Sequence, residues 1–567
     1  MRGRSRHLSR SFPPARDRSR CATLLAFTGV VVAGCVDLQV TNVNEPDSER
    51  ALSNPGDAGA LISASFNSWF GGVYGVPGVT QPGTAGMFLS NQAFQHAAPY
   101  KNWGMYLYGK LPRAGIRNDV LDPEYETVSF IWEGCYQALS ALSTGLKALG
   151  DPEVAGAIEE QTEIPGEAYR AFGRFVQGLA HGTVALVYDR GIVVDEGTNL
   201  DEPQTPVPYA DLMERALAYF DAAISIAASN SFALPFDWMQ ADVDSQALIR
   251  LAHSYEARFR AQVARTPEER EGVAWNAVVA DVDAGIQTTH TLEMDWDAGW
   301  MNGFLRFSTD WRMGQLPYFI YGMADQSGDV AEWYALPLAE KRERLPDGRP
   351  VLIVTPDLRF PQGSTVEEQR ANAGRYFRII LPIEEAGVNS SWWHPERGTW
   401  RWSWYKASYN RGLDYWGFKT KDQPEITLAE MRLLKAEGLY RTGDLAEAAA
   451  IVNETRVAAG LNPTDLSGTN TSCVPRLPDG SCGNLWEMLK WEKRMEMVWT
   501  GIAGVGWFFD GRGWGDLWRD TPLQLPVPCL EMELLGVESC DSFGGPGGQM
   551  GSPGSTYDFP FERTAAR

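Results

Sequence analysis

One ten-residue stretch constrains this chain more than any other: Leu439-Tyr440-Arg441-Thr442-Gly443-Asp444-Leu445-Ala446-Glu447-Ala448. A helical pattern over Thr427–Arg441 runs into Gly443, which tolerates the positive φ that ends a helix. Asp444 stands where an N-cap belongs, and the pattern resumes over Leu445–Ala459. Small Ala436 and Ala448 let the two helices approach closely. So short a turn makes an antiparallel hairpin, and hairpins of this kind bury their apolar faces by stacking on one another.

The rest of the chain supplies such layers. Helical patterns cover Glu49–Phe70, Pro123–Leu149, Glu167–Val187, Tyr209–Ala228, Ser245–Arg265 and Gly272–Gln287. The expected fold is all-α dominated: an α-solenoid of tetratricopeptide-type hairpins carrying a large irregular insert rich in tryptophan. The insert spans residues 289–425, and its periodicity is poor. Compact domains rarely carry structureless connections of that length, so it must be a subdomain packed on the helices. Residues 71–122 read as a smaller stretch of the same character. The expected organisation is 1–34 address, 35–49 tether, 50–288 N-terminal helical region, 289–425 insert and 426–567 C-terminal region.

The address is an export signal. Arg2, Arg4, Arg6, Arg10, Arg16, Arg18 and Arg20 form a basic run, and Ala22–Ala33 is an apolar core too short to span a bilayer. The junction Val32-Ala33-Gly34-Cys35 looks like a lipobox, and in that reading Cys35 is the lipid-bearing first residue of the mature protein; ordinary signal cleavage beside an incidental Cys is the alternative. Export permits disulfides, and Cys473/Cys482 and Cys529/Cys540 are candidate local bridges. Cys135 is left as a small buried hydrophobe.

Charge removes whole classes of function. The 72 acids against 50 bases give −22 overall, which argues against nucleic acid as a partner and against anionic lipid surfaces. Six His and seven Cys without CxxC or His-x-x-x-His spacing give no metal site, although acidic loops permit a structural calcium ion. No cofactor is expected. What the chain has in quantity is tryptophan, 21 residues of it. Sugar rings present apolar C–H faces that stack on indoles, while neighbouring amides, acids and guanidinium groups bond the hydroxyls. The candidate ligand residues are therefore Asn102 and Trp103, then Trp296, Trp300 and Trp311, then Trp392, Trp393 and Arg397. Trp400, Trp402 and Trp404 alternate as one face of a strand would and read as packing. Trp507, Trp514 and Trp518 also read as structural.

Four features in order resemble the SusD/RagB family of outer-membrane nutrient-binding lipoproteins. Cys35 is followed by a polar tether with Asn42-Val43-Asn44-Glu45-Pro46. Helical hairpins come next. Then come Ala436-Glu437 and Asn453-Glu454-Thr455-Arg456 before Gly460-Leu461. Last are Trp491-Glu492-Lys493-Arg494-Met495-Glu496-Met497, Gly506-Trp507-Phe508-Phe509-Asp510, Trp514-Gly515-Asp516-Leu517 and Leu525-Pro526-Val527-Pro528 with Glu531. The Gly-rich stretch Gly501–Gly515 is longer than the family pattern. The resemblance implies a non-catalytic protein anchored by lipid at the cell surface in the outer membrane. Its implied task is to capture an oligosaccharide or a peptide and deliver it to a SusC-type TonB-dependent transporter. A secreted α-helical glycoside hydrolase or lyase is the alternative reading, with Glu332 or Asp297 available as acids. A repeat scaffold for protein contacts is a third.

Overall fold

The computed structural model describes residues 55–75, 84–97, 109, 111, 113, 115–122, 125–295, 297–304, 315–337, 340–341, 344–379, 403–407, 420–536, 540 and 551–558. The expected export signal, Cys35 and the expected tether lie outside the described residues. Residues Asp47–Arg567 form one compact unit.

Helices dominate. In chain order they begin with α1 (Pro55–Ser63), α2 (Ser65–Tyr74), α3 (Thr84–Gln92), α4 (Glu126–Leu149) and α5 (Pro152–Thr162). Next come α6 (Gly166–Val187), α7 (Tyr209–Ser229), α8 (Ser245–Gln262) and α9 (Trp275–Ala284). Strand β1 (His290–Asp295) opens the insert, which holds α10 (Asp329–Ala335), β2 (Phe377–Ile379) and β3 (Tyr405–Ala407). Strand β4 (Thr420–Ile426) closes it. Then follow α11 (Leu428–Thr442), α12 (Leu445–Ala458), α13 (Leu485–Glu496), α14 (Gly506–Trp514) and α15 (Cys529–Leu534).

The hairpin of α11 and α12 forms as its turn dictates. Gly443 sits at φ 96°, and the Asp444 carboxylate accepts from Glu447 N–H. Thr427 caps α11 in the same way through Glu430 N–H. Three expectations are corrected. The first helix is two helices broken at Ala64. The stretch 71–122 contains α3, and α5 lies between two of the expected helices. Where α2 crosses α4, Gly72 faces Gly134 so closely that a Cβ on Gly72 would lie 2.4 Å from the Gly134 Cα. Only glycine permits that approach.

The layers stack in sequence, α6 on α7, α8 on α7 and α9, α9 on α11, and α11 on α12 and α13. The insert does not stand apart. Tyr318, Phe319, Tyr321, Trp333, Val351, Ile353, Phe360 and Phe377 belong to the same apolar core as the N-terminal helices. The three regions named from the sequence therefore share one core.

The C-terminal helices are riveted by buried charge. The Arg270 guanidinium donates to Glu437 Oε1 and Oε2 at 2.9 and 2.7 Å and to Asp510 Oδ1 at 3.0 Å. Lys493 Nζ lies 2.9 Å from Asp510 Oδ2, and Trp514 Nε1 donates to Glu437 at 3.0 Å. Burial alone would push the Glu437 carboxyl up, but the charges of Arg270 and Lys493 hold it well below the ordinary range. A second network ties the insert to α13: Arg359 binds Asp357, Glu492 and Glu496. A third joins Arg258 to Glu430 at 2.8 and 2.7 Å, beside Glu425, which accepts from Tyr74 and Tyr255. Glu437, Glu492, Lys493, Glu496 and Asp510 all belong to the ordered motifs of the sequence. In the fold these motif residues are structural.

Both cysteine pairs are bridged, Cys473–Cys482 with Cα atoms 4.7 Å apart and Cys529–Cys540 at 5.2 Å. Cys135 is free and buried. Among the described residues, no helix is long and apolar enough to cross a membrane.

Candidate ligand-binding region

The insert leaves and returns at one place. Strands β1 and β4 pair antiparallel from His290↔Ile426 to Asp295↔Thr420, so residues 296–419 issue from one end of a two-stranded ribbon. Just past that end the chain turns. The Asp295 carboxylate accepts from Asp297 N–H at 2.9 Å, Gly299 takes φ 87°, and Trp300 N–H donates to Asp295 O at 2.8 Å.

That turn points Trp300 inward. Its ring lies 5.3 Å from that of Phe70 and 6.0 Å from that of Phe66, and the residue is only 4% exposed. This corrects the expectation that Trp300 offers a face to ligand. An indole with its area spent on two phenylalanines of α2 cannot stack on a sugar as well. Trp404, just before β3, is also buried, as its alternation with Trp400 and Trp402 suggested. Trp507, Trp514 and Trp518 are buried. Asn102, Trp103, Trp296, Trp311, Trp392, Trp393 and Arg397 lie outside the described residues, as do Trp400 and Trp402.

The structure does fix where several of those segments begin and end. Ala97 bridges Gln315, and Gln315 bridges Lys406, both antiparallel. Ala97 N–H donates to Gln315 O at 2.8 Å. Leu316 N–H donates to Tyr405 O, and Ser403 N–H to Leu316 O, each at 2.9 Å. Ser403 Oγ adds a bond to Leu316 O at 2.6 Å. Three pieces of chain, distant in sequence, thus run side by side as one small ribbon. Ala97 leads into the segment with Asn102 and Trp103. Gln315 ends the one with Trp311. Ser403 follows the one with Trp392, Trp393 and Arg397.

The ribbon is rigidly backed. Tyr405 OH donates to Gln369 Oε1 at 2.6 Å and accepts from Ile353 N–H at 2.7 Å. Tyr321 OH donates to Gln95 O at 2.8 Å. His96 precedes the ribbon, fully buried, with Nδ1 2.6 Å from Ser90 Oγ; burial pulls its pKa down to about 3. Lys341 is buried within the insert, its Nζ donating to Trp333 O and Tyr334 O at 2.5 and 2.8 Å, and burial lowers its pKa to about 8.

Two open hollows lie elsewhere. One of ≈ 400 Å³ sits between α11, α12 and Tyr376, and one of ≈ 370 Å³ is bordered by Phe236, Arg250 and Thr289. The acids named for hydrolytic chemistry are not brought together as a dyad. Glu332 shares Arg349 with Asp329, while Asp297 is exposed in the turn before Trp300.

No protein-family model and no curated relative matches the chain. Among solved structures, it is similar to a SusD superfamily protein from Bacteroides vulgatus ATCC 8482, at 15% identity over 87% of this chain and 99% of that one, with a TM-score of 0.45. It is similar to a SusD superfamily protein from Bacteroides fragilis at 14% identity, covering 86% of this chain and 99% of that one, with a TM-score of 0.49. A SusD-like carbohydrate binding protein from Bacteroides vulgatus ATCC 8482 matches at 12% identity over 80% and 82% of the two chains, TM-score 0.43.

Proposed function

We propose that this chain is a non-catalytic, lipid-anchored protein of the outer membrane that binds an oligosaccharide or a peptide. It passes this nutrient to a SusC-type TonB-dependent transporter. The observation that carries the binding reading is the ribbon at Ala97, Gln315 and Lys406, from which three tryptophan-bearing segments depart. A ring-stacking site needs several indoles near one another on a rigid base, and the ribbon supplies a common base. Anchorage rests on Cys35 and its lipobox, and the transporter on the ordered motifs.

The test is saturable glycan or peptide binding by the purified mature protein, followed by the variant Trp103→Ala/Trp311→Ala/Trp392→Ala/Trp393→Ala. The expected result is binding without release of reducing ends, weakened about tenfold or more in the variant with an unchanged unfolding midpoint. Release of reducing ends would replace this reading with the glycoside hydrolase or lyase. Unchanged affinity in the variant would remove the indole site. Failure of a transporter to co-purify in mild detergent would remove the delivery role.

A further inference from the structure

His253 and Glu256 stand one turn apart on α8, so their side chains leave the same face. Asp281 reaches across from α9. His253 Nδ1 lies 3.1 Å from Glu256 Oε2 and 3.2 Å from Asp281 Oδ1. We propose that these three residues bind a divalent transition metal ion of the zinc class, clasping α8 to α9.

The spacing fits. A tetrahedral zinc site with bonds of about 2.1 Å has ligand–ligand edges of about 3.4 Å. One atom from each residue lies within 4.8 Å of the others, so closure needs only small side-chain adjustment. One imidazole and two carboxylates suit zinc chemically, and the imidazole favours it over calcium or magnesium. The His253 side chain is 23% exposed, which leaves water access to the remaining coordination position.

An independent observation points the same way. The Glu256 side chain is 1% exposed, yet its Oε1 has no hydrogen-bond partner among the described residues. Arg260 Nη2 forms an ion pair with that oxygen at 3.8 Å, beyond hydrogen-bond reach. A buried carboxylate oxygen left in this way is costly, and a bound ion removes the cost. Arg260 has another task. Its Nε donates to Asp281 Oδ2 at 2.8 Å, which holds that carboxylate in place with Oδ1 turned to His253. In the absence of metal the Asp281 and Glu256 carboxylates both face His253 Nδ1, the atom on which a metal would take the place of a proton. Asp221 on α7 adds a further negative field.

The experiment is calorimetric titration of the mature protein with zinc chloride, with cobalt absorption as a direct reading of the ligand set. One equivalent should bind and raise the unfolding midpoint. His253→Asn and Asp281→Asn should each weaken binding about tenfold or more. Cobalt should give a d–d band of nitrogen and oxygen ligation in the wild type, which needs no variant to fold. Absence of saturable zinc binding, or wild-type affinity in either variant, overturns the proposal. Glycan affinity should be unchanged by zinc, which separates this site from the proposed function.

Discussion

Arg270 and Arg349 do the same chemistry in two regions of the molecule. Each guanidinium holds more than one carboxylate, Arg270 those of Glu437 and Asp510, Arg349 those of Asp329, Glu332 and Asp347. The first side chain is fully buried between helices, whereas the second is 50% exposed on the insert. In the interior, removing one partner strands a charge that water cannot reach. At the surface water takes the place of the lost partner. The fold is therefore intolerant of change at Arg270 and permissive at Arg349.

The comparison can be broken most readily at Arg270. Arg270→Met leaves Glu437 and Asp510 buried with Lys493 and Arg441, and should cost about 3–5 kcal/mol in urea unfolding. A cost below 1 kcal/mol would show that the network is not a rivet. Trp300→Ala probes the point where the insert meets the frame. It should cost roughly 3 kcal/mol by emptying the space against Phe66 and Phe70, and leave the ligand affinity of the folded protein unaltered. A loss of affinity without a loss of stability would restore Trp300 to the ligand site.

Acid should weaken the frame through His181. Its Nδ1 bonds Gln177 O at 2.8 Å, and its Nε2 accepts from Val194 N–H at 3.0 Å, so only the neutral ring fits. Burial, partly offset by that bond to Gln177, pulls its pKa down to about 4. The unfolded chain then binds the proton more readily than the folded one. Stability is full above pH ~6.5 and falls as pH drops toward 4, by roughly 3 kcal/mol from this residue. His181→Gln should flatten the slope of unfolding free energy against pH over that window. An unchanged slope would mean that the ring titrates freely. Smallest of all, Arg349→Ala should leave the urea midpoint within error, because its ion pairs face solvent. A clear fall would place part of the fold's stability on the insert surface.

Some of this protein was decided residue by residue. Gly443 and Asp444 announce their turn because a positive φ and a cap are local demands, met within four residues. The cysteine pairs were legible because each lies within a short loop. Other features needed the whole fold. No glycine or proline marks the break at Ala64, and α3 is too short for its periodicity to stand out. Trp300 looks in sequence like Trp296, and only the two phenylalanines of α2 take it out of reach of ligand. His253 and Glu256 have a visible spacing, but Asp281 joins them only because α8 packs on α9. The ribbon at Ala97, Gln315 and Lys406 joins positions far apart in the chain. Turns, caps and helical faces follow from neighbours along the backbone. Burial, and with it the choice between packing and binding, follows from neighbours across space, which a single string of residues does not specify.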